Sequence, residues 1–152
     1  MALVQRDFIL RMIEAIAAAV ARIRKRKSEG DVIGARQDVH HATLELLGPA
    51  AAMATMVDTR TAANLVSDPR RLRLWCVLLN EDSGLLRELG RDREASAVDR
   101  RIVELLLEAW QREKEWDEET RGLFATVRAR GGEASIDASF KSTLAAWEAE
   151  QP

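Results

Sequence analysis

Apolar residues recur at three- and four-residue steps along most of the chain, which is the pattern of amphipathic helices. The first such stripe runs through residues 5–27. A second begins after Asp31, a good N-cap residue, and the pair Gly48 and Pro49 ends it. Residues 50–66 carry a weaker, interrupted stripe, so we expect one or two short helices there.

The second half of the chain predicts further helices. Residues 67–69, Ser-Asp-Pro, form a start signal for a helix that Gly90 closes. Residues 92–130 could form one helix of nearly forty residues, but that length is rare. The acidic run after Trp116 is typical of a new helix start, so we favour a break near Trp116. Two adjacent glycines then form a linker, and we expect a short helix in residues 133–152 that could be mobile, dock on a partner or pack on this chain.

These stripes predict an all-α protein. The β-branched residues form no alternating runs of strand length. A chain of 152 residues with 47% hydrophobic content can bury one ordinary core and is short for two. We therefore predict a helical bundle of six to seven helices, with residues 1–132 as a single domain and residues 133–152 as a C-terminal linker and helix.

Composition favours a cytoplasmic protein. Cys76 is the sole cysteine, so neither an intrachain disulfide nor a multi-cysteine metal site can form. The apolar residues 8–23 are interrupted by Arg11 and Glu14, which argues against a signal peptide or a membrane span. The net charge of −2 lacks the basic excess of most nucleic-acid binders.

The sequence offers no pattern for catalysis, and we predict no catalytic residues, no cofactor and no metal. Glycine-rich phosphate loops, HExxH and GxSxG are absent. His41 and Glu45 share a helical face, but two ligands do not make a metal site, and the neighbouring His40 points about 100° away. Cys76 follows Trp75 on an apolar helix, which indicates a buried structural thiol.

Two stretches resemble a known family of proteins. The opening VQRDFILRMIEAI resembles the start of a family of small, uncharacterised bacterial helical proteins, a domain of unknown function. Residues 66–109 resemble the second half of the same family, which is itself similar to a tetratricopeptide helix pair, and the likeness covers most of residues 3–112. The residues that carry the first likeness are Asp7, Arg11, Met12 and Ile13.

The resemblance implies a tetratricopeptide-like antiparallel helix pair and no particular activity. Gly90 would end its first helix, and the small Ala95 stands where the second helix must approach closely. Asp99 and Asp82 depart from the tetratricopeptide pattern, which has an aromatic residue and a leucine there. A solenoid needs at least about three repeats, so we predict one such pair and not a repeat array.

A basic cluster ends the first helix. Residues 1–30 carry a net charge of +4, and residues 108–120 carry −4. The two could meet within the fold or pair between subunits, but we favour solvated helix ends, and no aromatic residues interleave as single-strand binding would require. The cluster consists of Arg22, Arg24, Lys25, Arg26 and Lys27.

We expect a non-enzymatic interaction or adaptor module that binds another protein or a second copy, giving a homo-oligomer. The alternative is a peripheral membrane or nucleic-acid binder that uses the basic amphipathic first helix. The apolar face of that helix and the aromatic residues in acidic or terminal surroundings are the candidate contacts. They are Phe8, Met12, Ile16, Trp116, Phe140 and Trp147.

Overall fold

The computed structural model describes the backbone of residues 2–152 and the side chains from residue 6 onward. Within that part of the chain the fold is all-α, with eight helices and no strand. Seven of these helices have eight residues or more, which confirms the predicted bundle of six to seven. They are α1 (Ala2–Ser28), α2 (Val32–Leu47), the single turn α3 (Ala51–Ala54), α4 (Thr59–Val66), α5 (Pro69–Glu88), α6 (Asp92–Glu113), α7 (Glu118–Ala129) and α8 (Lys141–Ala149).

Aspartate caps fix several helix starts where the sequence predicts them. Asp31 accepts a hydrogen bond from the backbone N–H of Gly34 at 2.9 Å, and Asp117 accepts one from Thr120 at 2.8 Å. Each cap satisfies a donor that no carbonyl of the same helix can reach. The predicted break near Trp116 is confirmed, because α6 ends before it and α7 begins after the cap.

The helix α5 follows its predicted start signal and has no internal break. Asp68 accepts a hydrogen bond from the backbone N–H of Arg70 at 2.9 Å. The helix continues through Ser83 and Gly84, two residues of low helix propensity. Gly90 lies just beyond the helix with φ of 74°, a left-handed conformation that glycine adopts without steric cost.

The helices α5 and α6 form the antiparallel pair at the centre of the bundle. Residues 102–110 of α6 are all buried, because α4, α5, α7 and α8 pack around them. Ala95 has no exposed surface, as its predicted role at a close helix approach requires. Leu89 follows the last residue of α5 and is 39% exposed.

Two carboxylates of α6 are buried inside this core. Glu104 accepts hydrogen bonds from the Thr59 hydroxyl at 2.6 Å and from the backbone N–H of Asp137 at 2.8 Å. Glu108 accepts one from the Arg60 guanidinium at 3.1 Å. Buried charges are tolerated when they are paired and hydrogen-bonded. These two therefore tie α4 and the turn before α8 to the central helix.

A third buried carboxylate, Asp99, joins α5, α6 and the end of α7. Its Oδ1 accepts hydrogen bonds from the Ser83 hydroxyl at 2.6 Å and from Arg130 at 2.8 Å, and its Oδ2 accepts one from Arg87 at 2.6 Å. The side chain of Asp99 is only 1% exposed. The departure from the tetratricopeptide pattern at this position is thus a polar junction between three helices.

The segment 133–152 packs on this chain. Phe140 is 3% exposed. Trp147 of α8 lies against Trp116 and Phe124, with ring centroids 5.5 Å and 4.7 Å apart. The structure therefore places the C-terminal helix on α6 and α7 of the same chain, and its aromatic residues fill their core.

Gly132 lies where the turn after α7 meets α6. A Cβ atom added there would lie 2.6 Å from Val127 Cγ1 and 3.1 Å from the Asp99 carbonyl oxygen. We expect Gly132→Ala to lower the free energy of unfolding by about 1–3 kcal/mol through overpacking. Gly122→Ala is the matched control, because open space surrounds Gly122 in α7, and it should stabilise by about 0.5–1 kcal/mol. Urea unfolding measures the free energy of unfolding of both variants. A change of the same sign in the two variants would contradict the prediction.

Candidate functional site

The first helix extends beyond the helix that covers it. α1 has 27 residues whereas α2 has 16, and the two run antiparallel from the turn at residues 29–31. α2 therefore ends before it reaches the first turns of α1. The buried residues Ile16, Ala19 and Ile23 all lie in the covered part. The exposed large side chains of the uncovered part are Phe8, Leu10 and Ile13, at 49%, 48% and 47%.

An exposed apolar stripe, here called the α1 stripe, runs along this helix. It is formed by Leu10, Ile13, Ala17 and Ala21, all of which are exposed. Their spacing of three and four residues keeps them on one side of the helix over about 17 Å. Arg6 and Glu14 flank the stripe, are exposed, and form no ion pair with any described residue. The stripe is an uncovered apolar surface with one free charge of each sign beside it.

A groove of about 130 Å³ adjoins the α1 stripe, between α1, α5 and α7. Its apolar wall is formed by Ile9, Ile13, Leu74, Val77 and Leu123. Arg73 and Asp117, which form an ion pair at 3.9 Å, line it together with Glu119. The groove continues the apolar surface of the stripe and gives it a charged border.

The six apolar and aromatic residues expected to bind a partner differ in how exposed they are. Phe8 is exposed, whereas Met12 and Trp147 are half-buried and Ile16, Trp116 and Phe140 are buried. The expectation that Trp116 and Phe140 are exposed anchors is corrected. Trp116 packs on Phe124 with centroids 4.8 Å apart, and Phe140 lies beneath the Arg60 guanidinium at 4.8 Å. Sequence reasoning missed Leu10, whose only signal is that it is a large apolar residue away from the main stripe.

The basic cluster at the end of α1 is largely paired within the fold. Three of its five members form ion pairs with carboxylates of α2 and α5 while their side chains stay 36–68% exposed, so the cluster is solvated and also partly paired within the fold. The pairs are Arg24 with Glu81 at 2.7 Å, Arg26 with Asp38 at 2.7 Å and Lys27 with Glu88 at 3.8 Å. Arg22 and Lys25 remain exposed without an ion pair among the described residues. The acidic residues 108–120 are not the partners of this cluster.

The histidines and the cysteine lie apart from the α1 stripe. His40 and His41 are exposed on α2, with ring centroids 6.3 Å apart. Among the described residues, no group of three or more His, Cys, Asp or Glu side chains is arranged to hold a metal ion. Cys76 is fully buried, as predicted, and burial raises the pKa of its thiol above the ordinary value.

No family model, no curated protein and no solved structure is significantly similar to this chain. The resemblance to small bacterial helical proteins therefore stays a prediction. Across residues 2–152, none of the helices combines the length and apolar character needed to cross a membrane. The function has to be inferred from the geometry of the surface.

Proposed function

We propose that this protein is a non-enzymatic cytoplasmic interaction module that self-associates, with two copies pairing through the α1 stripe. The observation that supports it is the uncovered apolar stripe beside a groove that continues its apolar surface. A second copy presents the same stripe, so a two-fold pair covers the Leu10 end of both stripes at once.

The charges beside the stripe favour an antiparallel pair centred on Leu10. In that register, the residue four positions before Leu10 lies opposite the residue four positions after it in the second copy. These residues are Arg6 and Glu14, and symmetry forms the pair twice. An exposed ion pair contributes only about 0–1 kcal/mol, so the charges set the register while the apolar contact supplies the affinity.

The alternative of a membrane surface or nucleic acid has less support. It depends on the basic end of α1, where Arg24, Arg26 and Lys27 already contact carboxylates of the same chain. Binding to phosphates there would have to compete with these pairs. Two unpaired cations, Arg22 and Lys25, are few for a binding mode whose affinity depends on the number of phosphates neutralised.

A charge exchange tests the proposed register. Arg6→Glu and Glu14→Arg should each weaken self-association about tenfold or more, because each change sets like charges opposite one another twice per dimer. The double variant R6E/E14R restores the opposite charges and should recover most of the affinity. Sedimentation or light scattering over a range of protein concentrations measures the dissociation constant of each variant.

Glu45→Arg is the matched control, since Glu45 is exposed on α2 and lies outside the α1 stripe. It should leave the dissociation constant within about twofold of the natural one. Leu10→Glu should abolish association, because it places a charge on the symmetry axis. A natural protein that stays monomeric at every concentration would contradict the proposal, and so would single variants that associate as well as the double variant.

A further inference from the structure

A cavity of about 530 Å³ opens on the other side of the central helix pair, between the α3–α4 connection, α5, α6 and the turn before α8. It shares no residue with α1. Val57, Leu79 and Val98 form an apolar wall, and each is half-buried, so each exposes surface to the cavity. Arg60, Arg100 and Arg101 also line it, together with Asp58, Glu104 and Asp137. The cavity therefore combines an apolar wall with three carboxylates and three arginines, of which Arg60 pairs with Glu108 outside the cavity lining.

Arg101 is a half-buried arginine without a carboxylate partner. Its guanidinium lies 5.1 Å above the Trp75 ring centroid, and its Nη2 donates a hydrogen bond to the Ala54 carbonyl. Its Nε is buried and has no hydrogen-bond partner among the described residues. Two other half-buried arginines that bridge helices do have carboxylate partners, in the pairs Arg36 with Asp82 at 2.8 Å and Arg87 with Asp99 at 2.6 Å. Arg101 differs from these two in having no carboxylate partner.

The carboxylates around the cavity are engaged elsewhere. Both oxygens of Glu104 already accept hydrogen bonds, from Thr59 and from the Asp137 backbone. Asp58 is the N-cap of α4, and Asp137 accepts hydrogen bonds from the backbone N–H and the hydroxyl of Ser139. Burial lowers the pKa of the Arg101 guanidinium, and attraction to Glu104 offsets this only in part. The positive charge of Arg101 is therefore desolvated without a direct counter-charge, which is costly unless an anion can approach it.

We propose that this cavity binds a small organic oxyanion, a carboxylate or phosphate carried on a short apolar group, with Arg101 as the primary ligand. A guanidinium presents a planar fork of donors that matches either group. Arg100, which is exposed and forms no ion pair with a described residue, adds a second positive charge at the cavity. Val57, Leu79 and Val98 contact the apolar group.

The test compares three ligands of equal chain length: hexanoate, hexyl phosphate and the neutral hexanamide. Each is titrated into the full-length protein at constant ionic strength and followed by calorimetry and by tryptophan fluorescence, since Trp75 lies beneath Arg101. At least one oxyanion should bind tenfold or more tightly than the amide. Tighter binding of hexanoate assigns the site to carboxylates, and tighter binding of hexyl phosphate assigns it to phosphates.

Two variants locate the binding. Arg101→Gln removes the charge and should weaken oxyanion binding at least tenfold, whereas Arg93→Gln, at an exposed position of the same helix, should not. Ala97 is exposed and lines the cavity, so Ala97→Trp fills the site from its exposed rim without adding volume to the core, and it should abolish binding even if Arg101→Gln does not fold. Equal binding of all three ligands, no binding of either oxyanion, or full binding to Ala97→Trp would overturn the proposal. Neither variant touches the α1 stripe, so self-association is a separate measurement.

Discussion

Replacing Asp99 with asparagine is expected to lower the free energy of unfolding by about 3 kcal/mol at neutral pH. The carboxylate accepts hydrogen bonds from Ser83, Arg87 and Arg130. An amide keeps one acceptor oxygen and turns a donor toward groups that are themselves donors. It also leaves two guanidinium groups without the charge they surround. Few other single changes in this molecule remove as many contacts between separate helices.

The effect of Asp99→Asn should depend on pH. Burial alone would raise the pKa of Asp99, but the hydrogen bonds from Arg130, Ser83 and Arg87 outweigh it and hold the pKa below its ordinary value. Because the folded pKa is below the unfolded one, the carboxylate contributes stability above about pH 4 and loses it as pH falls through the folded pKa. The difference between the natural protein and the variant should therefore shrink toward acid pH.

Urea unfolding at several pH values between neutral and acid measures this difference. Asp92→Asn is the matched control: Asp92 is exposed in the first turn of the same helix, so its change should stay below about 1 kcal/mol. A cost of Asp99→Asn that is constant across the whole pH range would show that the carboxylate charge is not what the three donors require.

The second large effect is expected at Phe124, where Phe124→Ala should cost about 3–4 kcal/mol. Phe124 is 1% exposed and lies between Trp116 and Trp147, with ring centroids 4.8 Å and 4.7 Å away. Removing the ring leaves a cavity and two tryptophans without their shared partner. Because Trp147 belongs to α8, the C-terminal helix should also detach more readily.

Thermal unfolding followed by tryptophan fluorescence measures both the loss of stability and the detachment of α8, since a detached Trp147 becomes exposed to water. The same substitution at an exposed position, Phe8→Ala, is the control and should cost less than about 1 kcal/mol at concentrations where the protein is monomeric. Equal losses at the two positions would mean that the aromatic cluster does not hold the C-terminal helix.

Helix limits could be predicted from the sequence because their causes are local. Asp31 and Asp117 cap backbone donors only three residues ahead, so the signal and the structure it fixes occupy the same turn. Gly90 likewise ends α5 through its own backbone conformation. Such features depend on residues within about one helical turn, so the local sequence is enough to predict them.

The surroundings of α6 could not be predicted in the same way. The apolar seam of α6 is visible in the sequence, but no spacing marks Glu104 and Glu108 as buried. Both are buried because α4 and the turn before α8 cover that side and supply donors 45 and 33 residues away from Glu104 and 48 residues away from Glu108. The hydrophobic period of one helix does not contain the position of its partners, so the burial of these carboxylates could not be predicted from α6 alone.

The residues of the candidate sites also differ in whether the local sequence or distant segments determine their surroundings. Phe8 was predicted as a partner contact because it lies on the first helix, whose apolar face is broad. Leu10 was missed because it lies off the main apolar stripe of α1, and the structure shows that it forms a second, exposed stripe with Ala17 and Ala21. The surroundings of Arg101 come from several separate segments, from Ala54 to Asp137, and no spacing in the sequence connects them.

The rate at which the Cys76 thiol is labelled reports how often the central helices α5 and α6 separate. This thiol is fully buried, with Sγ 3.9 Å from the carbonyl oxygen of Ile102 on α6. A thiol-labelling reagent can reach it only when α5 and α6 move apart. The chain has no other cysteine, so every labelled molecule records one such opening. When reclosing is fast, the labelling rate divided by that of an exposed thiol is the equilibrium constant for opening this pair.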